Sequence, residues 1–430
     1  MAASLLLSTQ LVNDGTYFGA KQPAGKRLQN APTLVPVFTH LAREFMVCDQ
    51  WFSSLPGPTW PNRFFVHAGS SGGLANSPSD MTTIGSLLWS KIGFSFEHGT
   101  IFEALERAGR TWRVYYGDHF PQVCAIDTMP SVFVARPAQF RPQKAFVGDV
   151  GRGDVANYTF IEPDYSILSR FKNGNSQHPS GTLSAGEALM ASITRALIES
   201  PVWEASLLFI LYDEHGGYYD QVPPPAATPP GDKPLNANKA KTVPKPPFGF
   251  DRYGVRTPAV VVSPWINPKS VWHTPCDHAA VVRTVFDVFG LPDYLTERDR
   301  RAPSLRSALL KAPLTSAPAS LPEVPEHVAI DAVLDAEGPT QPPHDEGALN
   351  GFTRIAAQIH HALLEQQAAL KAGVTPEAVP TTVAPTADLA YLPNLPKIPD
   401  ADAQRAYIAE VAAEVQQHRA LQLAGVPGRP

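Results

Sequence analysis

Five consecutive apolar residues, Leu207 to Leu211, run directly into Tyr212-Asp213-Glu214-His215-Gly216-Gly217. A run this short, closed by acids and glycines, reads as a β-strand buried on both faces. Such a strand needs helices above and below it, which restricts the chain to an α/β layered architecture. The flanking segments agree. Residues 184–200 have an apolar row at Leu189, Ile193 and Leu197, and Ser184 with Glu187 forms a capping-box pattern. "RTPAVVVSPW" (256–265) is a second buried strand, and "CDHAAVVRTVFDVFG" (276–290) is a helix ended by glycine. Upstream, residues 33–50 have helical spacing at Val37, Leu41 and Phe45, and residues 98–109 form a helix. "TWRVYY" from Thr111 and "NYTFIEPDY" at 157–165 are further strands. The predicted fold is an α/β sandwich with a mainly parallel sheet, whose sites lie beyond the carboxyl ends of the strands.

The chain has 44 prolines in 430 residues, about twice the roughly 5% of ordinary proteins. Long, stiff connections follow from that. Nine of the prolines fall between Val222 and Phe248, which predicts an ordered loop or lid. After about Lys311, proline-rich stretches alternate with two helical patterns. One carries Phe352, Ile355, Ile359 and Leu363; the other carries Ile408, Val411 and Val415. Residues 1–310 are expected to hold the chemistry, and 311–430 to be a helical extension for packing or oligomerisation.

A formal net charge of −5 gives no sign of a general nucleic-acid binder. No apolar run approaches the ~18 residues of a membrane span. The start, "MAASLLLSTQLVNDG", lacks the basic region and the apolar length of a good secretory signal. Either a cytosolic protein or a chain without its natural start fits it, so the compartment stays open. Cys48, Cys124 and Cys276 contain no CxxC pair, which argues against a cysteine zinc site.

The acids after the buried strand are the first candidates for chemistry. Asp213 and Glu214 repel each other unless a cation or proton intervenes. A divalent metal is one solution, because carboxylates are hard oxygen ligands; a solvated turn is the other. His178 lies 35 residues before Asp213, one helix plus one strand, so its loop reaches the same sheet edge. Thr59 sits in "GPTWPNR" (57–63), where two prolines and a glycine hold one hydroxyl stiffly. A threonine hydroxyl is a poor nucleophile until a metal or base activates it, and the Asp213-Glu214-His215 cluster offers both. His119 in "YYGDHFP" also ends a strand, and Glu162 ends another.

Several of these segments together resemble the bacterial phosphoesterase family, which includes non-haemolytic phospholipase C and related acid phosphatases. They are "CDQWFSSLPGPTWPNRFFVHAGSSGG" (48–73), "HPSGTLSAGEALMASITRALIESPVW" (178–203), "LLFILYDEHGGYYDQVPPP" (207–225), "YGVRTPAVVVSPWI" (253–266) and "DHAAVVRTVFDVFGLP" (277–292). The resemblance implies a three-layer α/β/α sandwich of alkaline-phosphatase-like type that hydrolyses phosphate esters or phospholipids with a divalent metal ion. It makes Thr59 the nucleophile and a metal ligand, Asp213 and Glu214 metal ligands, and His178 a contact to the phosphoryl group or leaving oxygen. His119 is a further catalytic candidate. Asn62 and His215 are expected to bind substrate, and Arg63 to be an ion-pair partner.

The chain also departs from that family. The Glu-Asn-Arg-Ser-Phe-Asp motif, which follows the family's first strand and completes its metal site, is absent. The nearest echo is an apolar run followed by Asn13-Asp14. Gln221 follows Asp220 where relatives often carry histidine. A missing first strand is therefore expected, exposing apolar sheet surface unless the N-terminus or the C-terminal helices cover it. Three readings stand: a metal-dependent phosphoric ester hydrolase, a truncated or inactive relative that only binds, and a related sulfate- or phosphonate-ester hydrolase.

Overall fold

A computed structural model describes residues 5–11, 35–78, 93–169, 173–178, 181–217, 220–240, 243–314, 321–324, 346–371, 398 and 400–423. Asn13 and Asp14 lie outside these residues.

An eight-stranded sheet forms the centre. Its strands are β1 (Leu5–Leu11), β2 (Met46–Cys48), β3 (Trp112–Tyr116), β4 (Phe140–Pro142), β5 (Tyr158–Glu162), β6 (Ser206–Tyr212), β7 (Ala259–Val262) and β8 (Ser270–Trp272). Their spatial order is β4-β3-β5-β1-β6-β7-β2-β8. β7 runs antiparallel to both β6 and β2, while the other pairings are parallel. All seven residues of β6 are buried, as its unbroken apolar run requires.

The expected loss of a first strand is corrected. Leu5–Leu11 occupies the middle of the sheet between β5 and β6, with Leu11 opposite Tyr212. Parallel partners on both edges pair its backbone.

Among the described residues, ten helices pack around the sheet or on one another: α1 (Pro36–Glu44), α2 (Thr59–Ala68), α3 (Ile101–Arg107), α4 (Met129–Ala135), α5 (Phe146–Gly151), α6 (Leu183–Ile198), α7 (Ala279–Phe289), α8 (Glu297–Arg301), α9 (Glu346–Lys371) and α10 (Ala401–Leu423). α6 packs with α1 and α5, whereas α2 packs with α3 and α7, and α7 with α8. The layered α/β architecture agrees with the sequence reading.

Two local expectations change. The helical pattern over 33–50 stops at Glu44, and Met46–Cys48 becomes β2, because its backbone pairs with both β7 and β8. Glu187 does not close a capping box on its own helix. Its Oε2 accepts the Val37 N–H at 2.6 Å and the Phe38 N–H at 3.3 Å, satisfying the open N-terminus of α1. Burial pushes the Glu187 carboxyl up to about 7, against the pull of those two N–H groups.

α9 and α10 join the hydrophobic core of the sandwich. Phe352, Ile355, Ile359 and Leu363 from α9 and Ile408, Val411 and Val415 from α10 are buried in it. α9 lies on α4, on α2 and on the 3-10 turn Gln122–Ala125. The proline-rich loop is pinned by Asn236. Its Nδ2 donates to the Ser71 and Ser95 carbonyls, and its Oδ1 accepts the Ser95 N–H. Gly72, at φ +59°, makes room for that amide: a Cβ there would fall 2.4 Å from Asn236 Nδ2. All three cysteines are free and buried. No helix among the described residues is long and apolar enough to cross a membrane.

Candidate active site

The site is built where β3, β5 and β6 end. Tyr116 is in register with Glu162, so the loops holding His119 and Glu162 leave the same sheet edge. β1 carries the register across to Tyr212, the residue before Asp213. Parallel pairing therefore gathers these strand ends on one edge.

Thr59 opens α2. The turn before it is fixed by Asn62, whose Oδ1 accepts the Leu55 N–H at 3.1 Å. Its Nδ2 donates to the carbonyls of Gly57 (2.8 Å), Pro58 (3.1 Å) and Leu55 (3.3 Å). Asn62, expected to bind substrate, thus has both amide atoms engaged by the turn. Arg298 holds the segment from the other side. Its Nη1 donates to the Ser54 carbonyl and to Asp277 Oδ2, and its guanidinium lies against the Phe65 and Tyr253 rings.

The Thr59 side chain is 2% exposed, and its Oγ1 accepts or donates no hydrogen bond among the described residues. Four residues on, and so on the same face of α2, Arg63 Nε donates to Asp213 Oδ2 at 3.2 Å. Arg63 Nη1 also donates to the Tyr165 hydroxyl (2.6 Å) and to Gln122 Oε1, with the guanidinium 4.7 Å from the Tyr165 ring centre. The helix that Thr59 opens is thereby tied to Asp213 through Arg63, one turn further along. The ion-pair reading of Arg63 agrees with this geometry.

Asp213 and Glu214 are both fully buried. Asp213 Oδ1 accepts the Glu214 N–H, and Glu214 Oε2 accepts the Gly216 N–H. The backbone here is locked by a buried histidine that sequence reasoning did not single out. The Trp51 indole N–H can only donate, so His278 Nδ1 accepts it at 3.1 Å. The ring proton is then on Nε2, which donates to the Asp213 carbonyl at 2.7 Å. Burial lowers the His278 pKa and keeps the ring neutral. The Asp277-His278 pair ahead of an apolar helix was the available signal.

His178 is buried next to Gln177, whose Oε1 accepts the Tyr212 hydroxyl and whose Nε2 donates to the Leu183 carbonyl. Gln177 sits at φ +58°, a left-handed conformation that costs of order 1 kcal/mol or more for a non-glycine residue. This strained link fastens the His178 loop to the residue before Asp213. His215 is half-buried in the loop that follows the acids. His119 is partly exposed, and its Nδ1 lies 2.7 Å from Asp118 Oδ1, which raises its pKa. Glu162 turns instead to the Gln122 and Val123 N–H groups, and burial pushes its carboxyl up to about 7.

The donor chemistry suits a hard divalent cation: two adjacent buried carboxylates, and on the helix tied to them by Arg63 a buried hydroxyl that makes no hydrogen bond among the described residues. No group of three His, Cys, Asp or Glu side chains arranged to hold a metal occurs among the described residues.

The Phosphoesterase family matches residues 29–292. Non-specific phospholipase C3 of Arabidopsis thaliana is 37% identical over 70% of this chain and 56% of its own length. Phospholipase C B of Mycobacterium tuberculosis is 26% identical over 60% of this chain and 51% of its own. The chain therefore spans about half the length of the curated relatives it matches. A solved protein of the alkaline phosphatase superfamily from Vibrio parahaemolyticus is 12% identical over 70% of each chain, with a TM-score of 0.38.

Proposed function

The chain belongs to the Phosphoesterase family, and from that premise we propose that it hydrolyses phosphoric esters, phospholipid esters among them, through Thr59. One observation supports this most: the unbonded Thr59 Oγ1 shares a face of α2 with Arg63, which is ion-paired to Asp213. Asp213, Glu214 and Thr59 are the residues that would hold a divalent cation. When bound, such an ion shields phosphoryl charge and favours the ionised hydroxyl.

The chain's own groups divide the remaining work. Asn62 and the two prolines hold Thr59 at the head of α2, so little ordering remains for the reaction step. Arg63 and His278 fix Asp213 from its side chain and its carbonyl. Thr59 Oγ bonds to phosphorus as the ester oxygen leaves, and water then cleaves the phosphothreonine. His119, whose pKa is raised by the hydrogen bond to Asp118, is a candidate proton donor to the leaving alcohol. His178 is the second candidate, for the leaving oxygen or an equatorial phosphoryl oxygen.

The test is hydrolysis of p-nitrophenyl phosphate and of phosphatidylcholine vesicles by the full chain, with Mg²⁺, Mn²⁺, Ca²⁺ or Zn²⁺ added. Turnover with at least one metal is expected. Thr59→Ala is expected to lose about a thousandfold or more, and Thr59→Ser to retain part of it. Full activity in Thr59→Ala would remove Thr59 from its role. Absence of turnover under every metal would leave a protein that only binds.

A further inference from the structure

α9 lies beyond the stretch that matches the family, yet it stands against both halves of the candidate site. Gly351 is inside this helix. A Cβ built there would fall 2.1 Å from Trp60 Cε2 and Cζ2 and 2.4 Å from Nε1. Trp60 is the residue after Thr59, and its indole is buried. Glycine is a poor residue for a helix interior; here it lets the α9 backbone lie directly on the indole.

The next residue reaches the other half. The Phe352 ring meets Trp60 edge-on at 6.2 Å and Tyr165 edge-on at 5.9 Å. The Tyr165 hydroxyl accepts from Arg63, and Arg63 holds Asp213. Two adjacent α9 residues therefore touch the neighbour of the nucleophile and the partner of the acid's partner. The helix is seated there by its own polar contacts. Asn350 Nδ2 donates to the Pro78 carbonyl, Gln358 Nε2 to the Cys124 carbonyl, and Gln404 of α10 to Asn350.

We propose that Gly351 and Phe352 are positioning residues for the reaction at Thr59. Pressed against α9, the indole cannot tilt, and the first turn of α2 keeps Thr59 in place. Held by Phe352, Tyr165 keeps the Arg63 guanidinium aligned with Asp213. Neither α9 residue touches the reacting atoms. The kinetic part of this inference rests on the proposed hydrolysis at Thr59; the bracing part does not.

Hydrogen exchange of the peptides covering 55–65 and 163–168, together with p-nitrophenyl phosphate kinetics, tests it in the full chain. Gly351→Ala puts a methyl where the indole lies. Exchange in 55–65 is expected to become at least tenfold faster. kcat is expected to fall at least tenfold while KM stays within twofold, measured at a temperature where the variant is still folded and with exchange in β6 unchanged. Phe352→Leu, which should recover more activity than Phe352→Ala, serves the same purpose if Gly351→Ala does not fold. Unchanged exchange over 55–65 overturns the proposal, as does a fall in activity that only tracks loss of folded protein. If the wild-type chain shows no turnover, the proposed hydrolysis fails by itself. Exchange then decides the bracing alone, faster in the variants supporting it and unchanged overturning it.

Discussion

Arg63 Nε lies 3.2 Å from Asp213 Oδ2, and both side chains are buried. The pair joins the helix that starts at Thr59 to the strand that ends at the acid pair, 150 residues further along the chain. Removing one member of a buried ion pair costs about 3–5 kcal/mol, because the other charge loses its partner without regaining water. Arg63→Ala should lower the unfolding free energy by about that much in urea denaturation. Arg63→Lys keeps the charge but not the planar reach to Tyr165 and Gln122, so it should recover less than half. A loss of under about 1 kcal/mol for Arg63→Ala would show that the pair does not brace the site.

Asn62 offers a sharper contrast. Alanine there leaves the Leu55 N–H and three carbonyls of a buried turn without their amide partner. About 2–3 kcal/mol of destabilisation is expected. The Asn62→Asp substitution would point a carboxylate acceptor at those carbonyls, so thermal unfolding should place that variant below Asn62→Ala. The reverse order would contradict the assigned amide orientation.

His67 packs against the Phe102 and Phe160 rings, and burial, then the nearby Arg63 charge, push its pKa down to about 3 from 6.5. The folded state keeps the ring neutral while the unfolded chain binds a proton below pH 6.5. Stability from this residue is therefore full above pH 6.5 and falls as the pH drops towards 3. At pH 5 the loss is about 2 kcal/mol. Glu162, raised to about 7 by burial, works in the opposite direction and favours the fold as pH falls from 7. The difference between wild type and His67→Leu isolates the histidine. It should shift in favour of the variant by about 2 kcal/mol between pH 7 and 5, and a pH-independent difference would show that His67 titrates normally.

Asn236 is one of several ties on the proline-rich loop and makes three hydrogen bonds to Ser71 and Ser95. Asn236→Ala should release the loop without unfolding the sheet. Limited proteolysis is expected to cleave within 222–248 at least tenfold faster, at unchanged cooperative melting. Equal cleavage rates would mean that the remaining contacts suffice to hold the loop.

Much of this site was legible in the chain because its signals are local. A five-residue apolar run closed by acids is a strand with carboxylates at its end wherever it lies. A hydroxyl between prolines is a stiff turn in any context. The partners of those groups left no such mark. Asn62 reads as a ligand contact until the turn folds back over its amide. Glu187 satisfies a box pattern with Ser184, but the bare N–H groups of Val37 and Phe38 are stronger claimants once α1 packs on α6.

By itself, the sequence determined the layered α/β class, several of the buried strands and helices, and the family, since periodicity and motif spacing act over a few residues. Only the tertiary structure decided what surrounds them. Leu5–Leu11 is the central strand because parallel partners on both sides satisfy its backbone. α9 reaches Trp60 because Gly351 removes the atom that would keep the two apart. Contacts between residues hundreds of positions apart are set by complementary shape and unsatisfied polar groups, which appear only when the layers close.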